Sequence, residues 1–501
     1  MKKILLFGAG KSSTVLIDYL LEHASKDKLQ LIIVDANFEL AKSKIGNSPY
    51  GIAESFDINN TTERNKYIRD SDIVISLLPP DLHFIVAKDC VKFSKNLLTA
   101  SYIDDQIRSL KSEIANRDVL FLCEMGLDPG IDHMSAMKLI NEIRARGDKI
   151  ISFKSHCGGL VAPESDDNPW HYKISWNPRN IVLAGKAGAI FKENRSEIHL
   201  KYEQLFASDR LIEINDIGFL SWYPNRDSLS YIPVYGLEDI DTFIRTTLRH
   251  PDFMYGWKNV IDLKLTDETP QYMTDGKSLS DFFKEHLDKN GFTDWLQQKL
   301  MERFTETKSL LENLVKLMEA EKEAKVEGEV IPDNLMRVDK KGRLEDLTID
   351  EIKDSAAEVM AHKMHEANLT LKQLYYLGMG DSDTKINKGF CSAADILQLA
   401  LEKKLSLLPG DKDLIVMIHE IGYDSKGKKS EINSTLIVKG DDHLRTAMAK
   451  TVGLPLGIAA RLVLNGTIKL KGLHIPTHKK IYEPVLTELE SYGITFRDVK
   501  K

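Results

Sequence analysis

Cysteine is scarce in this sequence: Cys90, Cys123, Cys157 and Cys391 are the four in 501 residues, and none forms a C-x-x-C pair. That spacing excludes a zinc ribbon, a dithiol redox centre and a disulfide-built scaffold, and it predicts no metal site. It fits reduced, buried thiols in a cytoplasmic protein. Basic excess is lacking too. The net charge is -7 and no polybasic cluster stands out, so no nucleic-acid partner and no membrane surface is expected. No run approaches about 18 consecutive apolar residues, and "MKK" leads straight into a strand-like segment rather than a signal peptide. A repeat of solenoid period is also missing.

What is present is an alternation. "ILLFGAG", "LQLIIVD", "GIAESFD", "DIVISLLPP", "NLLTASYI" and "DVLFLCEMG" read as strands, and "SSTVLIDYLLEH", "HFIVAKDCVKF" and "DDQIRSLKSEIANR" read as helices between them. Strands apolar on both faces, alternating with helices, predict an α/β fold with a Rossmann-like, doubly wound parallel sheet over residues 1–134. The pattern changes after Met134. "KIISFKSHCGGLVAPESDDNPWHYKISWNP" reads as a strand and a long loop, and "EIHLKYEQLF" and "SLSYIPVYG" as antiparallel strands of an α+β domain. From Ser278 to Leu405 the chain reads almost entirely helical, with "LVKLMEAEKEAKVEGEVIPDN" as a solvated helix entering a linker. "DLIVMIHEIGYDSKGKKSEINSTLIVKG" then predicts a hairpin and "LRTAMAKTVGLPLGIAARLVLNG" a helix. The expected domains are 1–134, then 135–280 with 406–501, and an all-helical domain over 281–405.

The first loop, "GAGKSS", follows a strand and opens a helix, as a dinucleotide-binding turn does. Gly8 allows the tight turn, and Gly10 lets a pyrophosphate approach the backbone at a helix N-terminus. Lys11 lies between Gly10 and the two serines, Ser12 and Ser13, which supply hydroxyls near the phosphates. Ser13 stands where a third glycine is usual, a position that costs space more than chemistry. Asp35 ends the second strand where a ribose-reading acid belongs, so NAD is preferred over NADP. A turn or capping aspartate is the alternative, and Asn37 and Lys42 soften the preference. Asp57 follows the third strand, near the adenine end, and Ser76, Leu77 and Leu78 end the fourth at the nicotinamide side.

A second segment, "EMGLDPGIDHM", leaves the sixth strand beside the same crevice. Pro129 and Gly130 fix a turn that holds Asp128 at a defined angle, with a helix starting near Ile131. Asp128 is the candidate acid–base group, or alternatively a helix cap. His133 is the runner-up, with packing at the helix start as its other reading.

"GLDPGIDHM", "HCGGLVAPESDDNPWHYKISWNPR", "YPNRDSL", "TTLRH" and "TVGLPLGIAARLVLNGTI" together resemble the saccharopine dehydrogenases of the glutamate-forming type, the saccharopine reductases. "LLTASYIDDQ" is most similar to the dehydrogenase half of the plant bifunctional lysine-degrading enzyme, and the region around 290–400 matches least. The resemblance implies a three-domain homodimer acting on small molecules: saccharopine, L-glutamate and 2-aminoadipate 6-semialdehyde, with NAD or NADP. It also implies substrate contacts from Ser101, Tyr102, Leu127, Asp128, Ser175, Trp176, Arg226, Thr247, Leu248 and Arg249, with Tyr102 a proton relay to Asp128. The triply anionic substrate calls for fixed cations, which Arg226 and Arg249 supply. Trp176 forms either a wall over the substrate or part of the core. His156 and Cys157 open the long loop without an assigned role. Two other readings keep the fold: a carboxyspermidine-type dehydrogenase, which tolerates fewer cations, and a non-catalytic nucleotide-binding protein.

Overall fold

A computed structural model describes residues 1–206, 210–327, 334–338 and 344–500. The chain divides into two compact units. One comprises Met1–Asp167, His171–Pro251 and Leu405–Lys501, and the other Asn168–Trp170 and Asp252–Lys404.

The first unit contains a seven-stranded parallel sheet. Its strands are β1 (Lys2–Phe7), β2 (Leu29–Val34), β3 (Gly51–Glu54), β4 (Ile73–Ser76), β5 (Asn96–Thr99) and β6 (Leu120–Leu122), joined by Gly472–His474. The spatial order is Gly472–His474, β6, β5, β4, β1, β2, β3. The order reverses between β1 and β4, which opens a crevice at their carboxyl ends. Ile4 to Phe7 are all 0% exposed. Alternation sends Ile4 and Leu6 into one apolar cluster and Leu5 and Phe7 into the other, so both faces of the sheet are covered.

Helix Ala447–Leu464 packs on helix Thr14–Asp27 beside this sheet. A Cβ on Gly453 would stand 2.7 Å from the Leu16 nitrogen, so glycine there permits the close approach. This helix has the length and hydropathy to cross a membrane, yet 67% of it is buried within the unit.

A second sheet in the same unit is built around β7 (Lys149–Val161). It pairs in parallel with Thr242–Arg249 and antiparallel with Asp413–Ser425, the first arm of the expected hairpin. Two segments read as strands differ. "SLSYIPVYG" folds as two helical turns, Leu229–Tyr231 and Ile232–Tyr235, because Pro233 suits a first helical turn and Tyr235 turns inward to 1% exposure. "EIHLKYEQLF" is a strand only over Ser196–Leu200, and Tyr202–Leu205 is helical.

The second unit carries helices Leu279–Lys289, Trp295–Glu327, Ile349–Leu374 and Ala393–Lys404. It is not purely helical. Pro270–Met273 pairs with Phe390–Ser392, and Asn334–Val338 with Leu344–Thr348. The linker expected at the end of "LVKLMEAEKEAKVEGEVIPDN" falls on 328–333, outside the described residues.

Candidate active site

The loop after β1 has the shape of a phosphate cradle. Gly8 has φ +99°, and a Cβ there would lie 2.8 Å from the Leu77 carbonyl oxygen across the switch point, so both position and conformation require glycine. A Cβ on Gly10 would meet nothing within 4 Å, which leaves its approach open. Lys11–Ser13 form a turn of 3-10 helix leading into helix Thr14–Asp27. Ser13 is 1% exposed, and its hydroxyl donates to the Gly10 carbonyl at 2.8 Å. Its hydroxyl therefore braces the loop instead of standing free for a phosphate. Lys11 Nζ is 3.5 Å from the Ile174 carbonyl oxygen.

Lys44, which sequence reasoning missed, reaches this loop from helix Phe38–Ile45. Its ammonium donates to the Gly10 carbonyl and lies 3.1 Å from Ser13 Oγ. Burial pushes its pKa down to about 8, against the pull of Asp35 and Asp18. Asp35 turns its carboxylate back to the loop, accepting from Ala9 N at 2.7 Å and Asn37 N at 2.9 Å. An open approach over Gly10, a carboxylate at the end of β2 and a cation at the loop fit a dinucleotide. Asp57 is exposed and accepts from Asn59 N at 2.9 Å in a local turn. Leu77 N donates to Phe7 O at 2.9 Å, joining the ends of β4 and β1. Leu78 follows, partly buried.

At the ends of β4 and β5, His83 joins two hydroxyls. Its Nδ1 is 2.8 Å from Ser76 Oγ and its Nε2 is 2.7 Å from Ser101 Oγ.

The segment after β6 makes a second focus. Gly130 has φ +147°, and a Cβ there would fall 2.1 Å from the Gly126 carbonyl oxygen. The turn accordingly closes on itself before helix Ile131–Ala145 begins. Asp128 does not cap that helix. Its Oδ1 accepts from Arg245 Nη2 at 2.6 Å, and the same nitrogen donates to Asp132 Oδ2 at 2.7 Å. Asp132 Oδ1 takes the Gly130 N–H at 2.6 Å. Both oxygens of Asp132 are thus occupied at 1% exposure, whereas Asp128 Oδ2 has no partner among the described residues. That difference decides which carboxylate can take a proton. Burial, with Asp132 adding to it and Arg245 opposing, pushes the Asp128 carboxyl up to about 6. Burial also works against ionised Asp132, but His133, Arg245 and the Gly130 N–H together hold it below the ordinary carboxyl value.

His133 is 0% exposed and both ring nitrogens are engaged, Nδ1 with Tyr235 Oη at 2.6 Å and Nε2 with Glu124 Oε2 at 2.9 Å. Tyr231 Oη also donates to Glu124 Oε2, at 3.2 Å. His133 therefore packs and braces the helix start. His156 is similarly held, by Thr246 Oγ1 at 2.7 Å and Glu420 Oε2 at 3.1 Å.

Around Asp128, the guanidinium of exposed Arg226 lies 5.2 Å from the Tyr102 ring centroid, and burial pushes the Tyr102 phenol well up. Arg249 is 4% exposed, donates to Leu248 O at 2.8 Å and lies over Tyr172 at 5.2 Å. The Tyr172 hydroxyl accepts from Trp176 Nε1 at 2.9 Å, so half-buried Trp176 is tied to the Arg249 group. Ser175 bonds to buried Asp413. Leu127 is buried, and Leu248 sends its side chain into an apolar cluster with Leu160, Leu220 and Leu414, away from the Arg245–Thr247–Arg249 face. Buried Cys157 pairs with Thr247 in register, and burial, with Asp128 and Asp132 adding to it and Arg249 and Arg245 opposing, pushes its thiol well up. All four cysteines are free and buried.

Arg245 and Asp132 were missed by sequence reasoning. Strand periodicity offered a signal for the arginine: Arg245, Thr247 and Arg249 stand two apart and share a face.

This geometry has relatives. The family described as "Saccharopine dehydrogenase NADP binding domain" matches residues 4–122, and "Saccharopine dehydrogenase C-terminal domain" matches 126–494. Alpha-aminoadipic semialdehyde synthase of Arabidopsis thaliana is 30% identical over 483 residues, 94% of this chain and 41% of that protein. The saccharopine dehydrogenase (NADP(+), L-glutamate-forming) of Saccharomyces cerevisiae is 30% identical over 501 residues, 99% of each. A solved structure of the L-Glu forming saccharopine dehydrogenase from Saccharomyces cerevisiae superposes with a TM-score of 0.76, at 27% identity and 100% coverage of both chains. The chain spans less than half the length of the Arabidopsis and Bos taurus synthases and nearly all of the yeast enzyme. With both of its domain families matched in order along its length, the chain belongs to the saccharopine dehydrogenase family.

Proposed function

We propose that the protein interconverts saccharopine with L-glutamate and 2-aminoadipate 6-semialdehyde. The observation that carries this reading is Asp128: a carboxylate with one oxygen anchored by Arg245 and the other open, in the turn that follows β6 of the parallel sheet. Arg226, over the Tyr102 ring, and Arg249, on the strand face of Arg245, are further cations for a substrate with three carboxylates. A polyamine substrate would be repelled by that set.

A bound nicotinamide would supply the hydride acceptor for the carbon beside the secondary amine of saccharopine. The chain's residues handle the protons. Asp128 Oδ2 takes the proton from the secondary ammonium, so that the amine lone pair forms the imine as hydride departs. After passing that proton to solvent, it takes one from the water that adds to the imine and returns it to the amine nitrogen of the departing glutamate. It also accepts the carbinolamine hydroxyl proton as the aldehyde forms. Tyr102, whose phenol stays protonated beside Asp128, donates a hydrogen bond to the reacting group or its water. The Gly8–Ser13 loop and Lys44 would hold the diphosphate of a bound dinucleotide, and Asp35 would read its adenosine ribose.

Within this reading NAD is the preferred cofactor, because an anion at Asp35 repels a 2′-phosphate. The names of several relatives carry NADP(+), and the first domain family is described as NADP binding. Initial rates with saccharopine and each cofactor in parallel test substrate and cofactor together. Saccharopine-dependent reduction of NAD faster than of NADP supports the proposal, and no reduction of either refutes it.

A further inference from the structure

His83 is a buried histidine not assigned to the proton transfers above. It lies on helix Pro80–Lys92 at 5% exposure and connects Ser76, the last residue of β4, to Ser101, just beyond β5. A neutral imidazole has one N–H and one lone pair, so this row admits two arrangements. In the first, Ser76 donates to Nδ1 and Nε2–H donates to Ser101. In the second, Nδ1–H donates to Ser76 and Ser101 donates to Nε2.

Burial separates them. Ser76 is 0% exposed, and its hydroxyl meets His83 alone among the described residues. In the second arrangement the Ser76 hydroxyl hydrogen would be buried without an acceptor, a defect that folded proteins avoid. The first arrangement uses that hydrogen and leaves only spare lone pairs. Burial also keeps the ring neutral, pushing its pKa down to about 4 with Asp104 opposing.

We propose that His83 is a positioning residue, fixed by Ser76 as the Nε2–H tautomer, and that it makes the Ser101 hydroxyl a donor toward a carboxylate of the substrate. With one of its lone pairs taken by Nε2–H, Ser101 keeps its own hydrogen for an anion. The carboxylate in this statement rests on the saccharopine reading.

The test is 15N spectroscopy of histidine-labelled protein, with the His83 signals identified by their loss in His83→Gln. The expected result is an unprotonated Nδ1 and a protonated Nε2 from weakly acidic to alkaline pH, without substrate. Ser76→Ala removes the selecting donor, so the Nδ1–H form should then become populated. Both variants should raise the KM for saccharopine about tenfold, the worth of one hydrogen bond to a charged group, with kcat changed less than about threefold. An Nδ1–H or charged His83 in the unaltered protein overturns the proposal, as does an unchanged KM in a folded Ser76→Ala protein. The predicted tautomer in a protein that turns over no saccharopine would overturn the substrate reading alone.

Discussion

Arg245 Nη2 lies 2.6 Å from Asp128 Oδ1, across 117 positions of sequence, and it lies almost equally near Asp132. One guanidinium thus serves two buried carboxylates that are otherwise unlike. Asp132 has both oxygens filled, while Asp128 keeps one open. A cation between them keeps Asp128 ionised near neutrality without consuming its basicity.

Arg245→Gln should leave two carboxylates facing each other with no cation. Breaking a buried pair in this way costs about 3–5 kcal/mol, read as a lower denaturation midpoint. With the lowering influence of Arg245 removed, the carboxyl of Asp128 should rise further, so the acid limb of any surviving activity moves to higher pH.

Lys44→Met tests the unforeseen cation at the phosphate loop. Because burial holds Lys44 at about 8, its charge fades as pH rises past that value. Dinucleotide affinity measured by fluorescence or calorimetry should weaken above pH 8 in the unaltered protein. In the variant it should be about tenfold weaker at neutral pH and flat across that range. Equal affinity in both proteins would remove Lys44 from the site.

Asp35→Ser should shift cofactor choice toward NADP, by about tenfold in the ratio of kcat/KM values for the two dinucleotides. An unchanged ratio would show that the carboxylate serves only the loop amides it binds.

The parallel sheet was legible because its strands are apolar on both faces, as "KKILL" and "DIVIS" show, and its glycine turn directly follows the first of them. Asp128 was legible because a proline and a glycine beside it announce a constrained turn. Lys44 was not, since its helix lies more than thirty positions from Gly10 and nothing local ties the two. "SLSYIPVYG" misled for a different reason: its aromatic and branched residues suit a strand, but Pro233 and the inward pull of Tyr235 on His133 favour helical turns. Arg245 hid behind Arg226 and Arg249, which the family resemblance had already brought forward, although it shares the Arg249 face. The edge strand Gly472–His474 pairs with β6 from a distant part of the chain, a contact no short window contains.

Asp128→Asn separates activity from stability. The folded-state value of about 6 lies above the unfolded carboxyl's value, so ionising Asp128 costs the folded protein free energy. That contribution to stability is fully present below pH ~3.9 and is lost as pH rises through about 6. At pH 8 the asparagine variant should therefore be as stable as the parent, or more stable by up to about 2–3 kcal/mol. A clear fall in melting temperature would contradict this.

The pH dependence of kcat/KM for saccharopine, in the unaltered protein and in Asp128→Asn, tests the central claim most directly. A base near 6 must be ionised to work, so the unaltered protein should lose activity as pH falls through about 6. The variant should lose about 10²- to 10⁴-fold at neutral pH and lack that limb. A variant with near-normal turnover and the same acid limb would show that another group carries the proton.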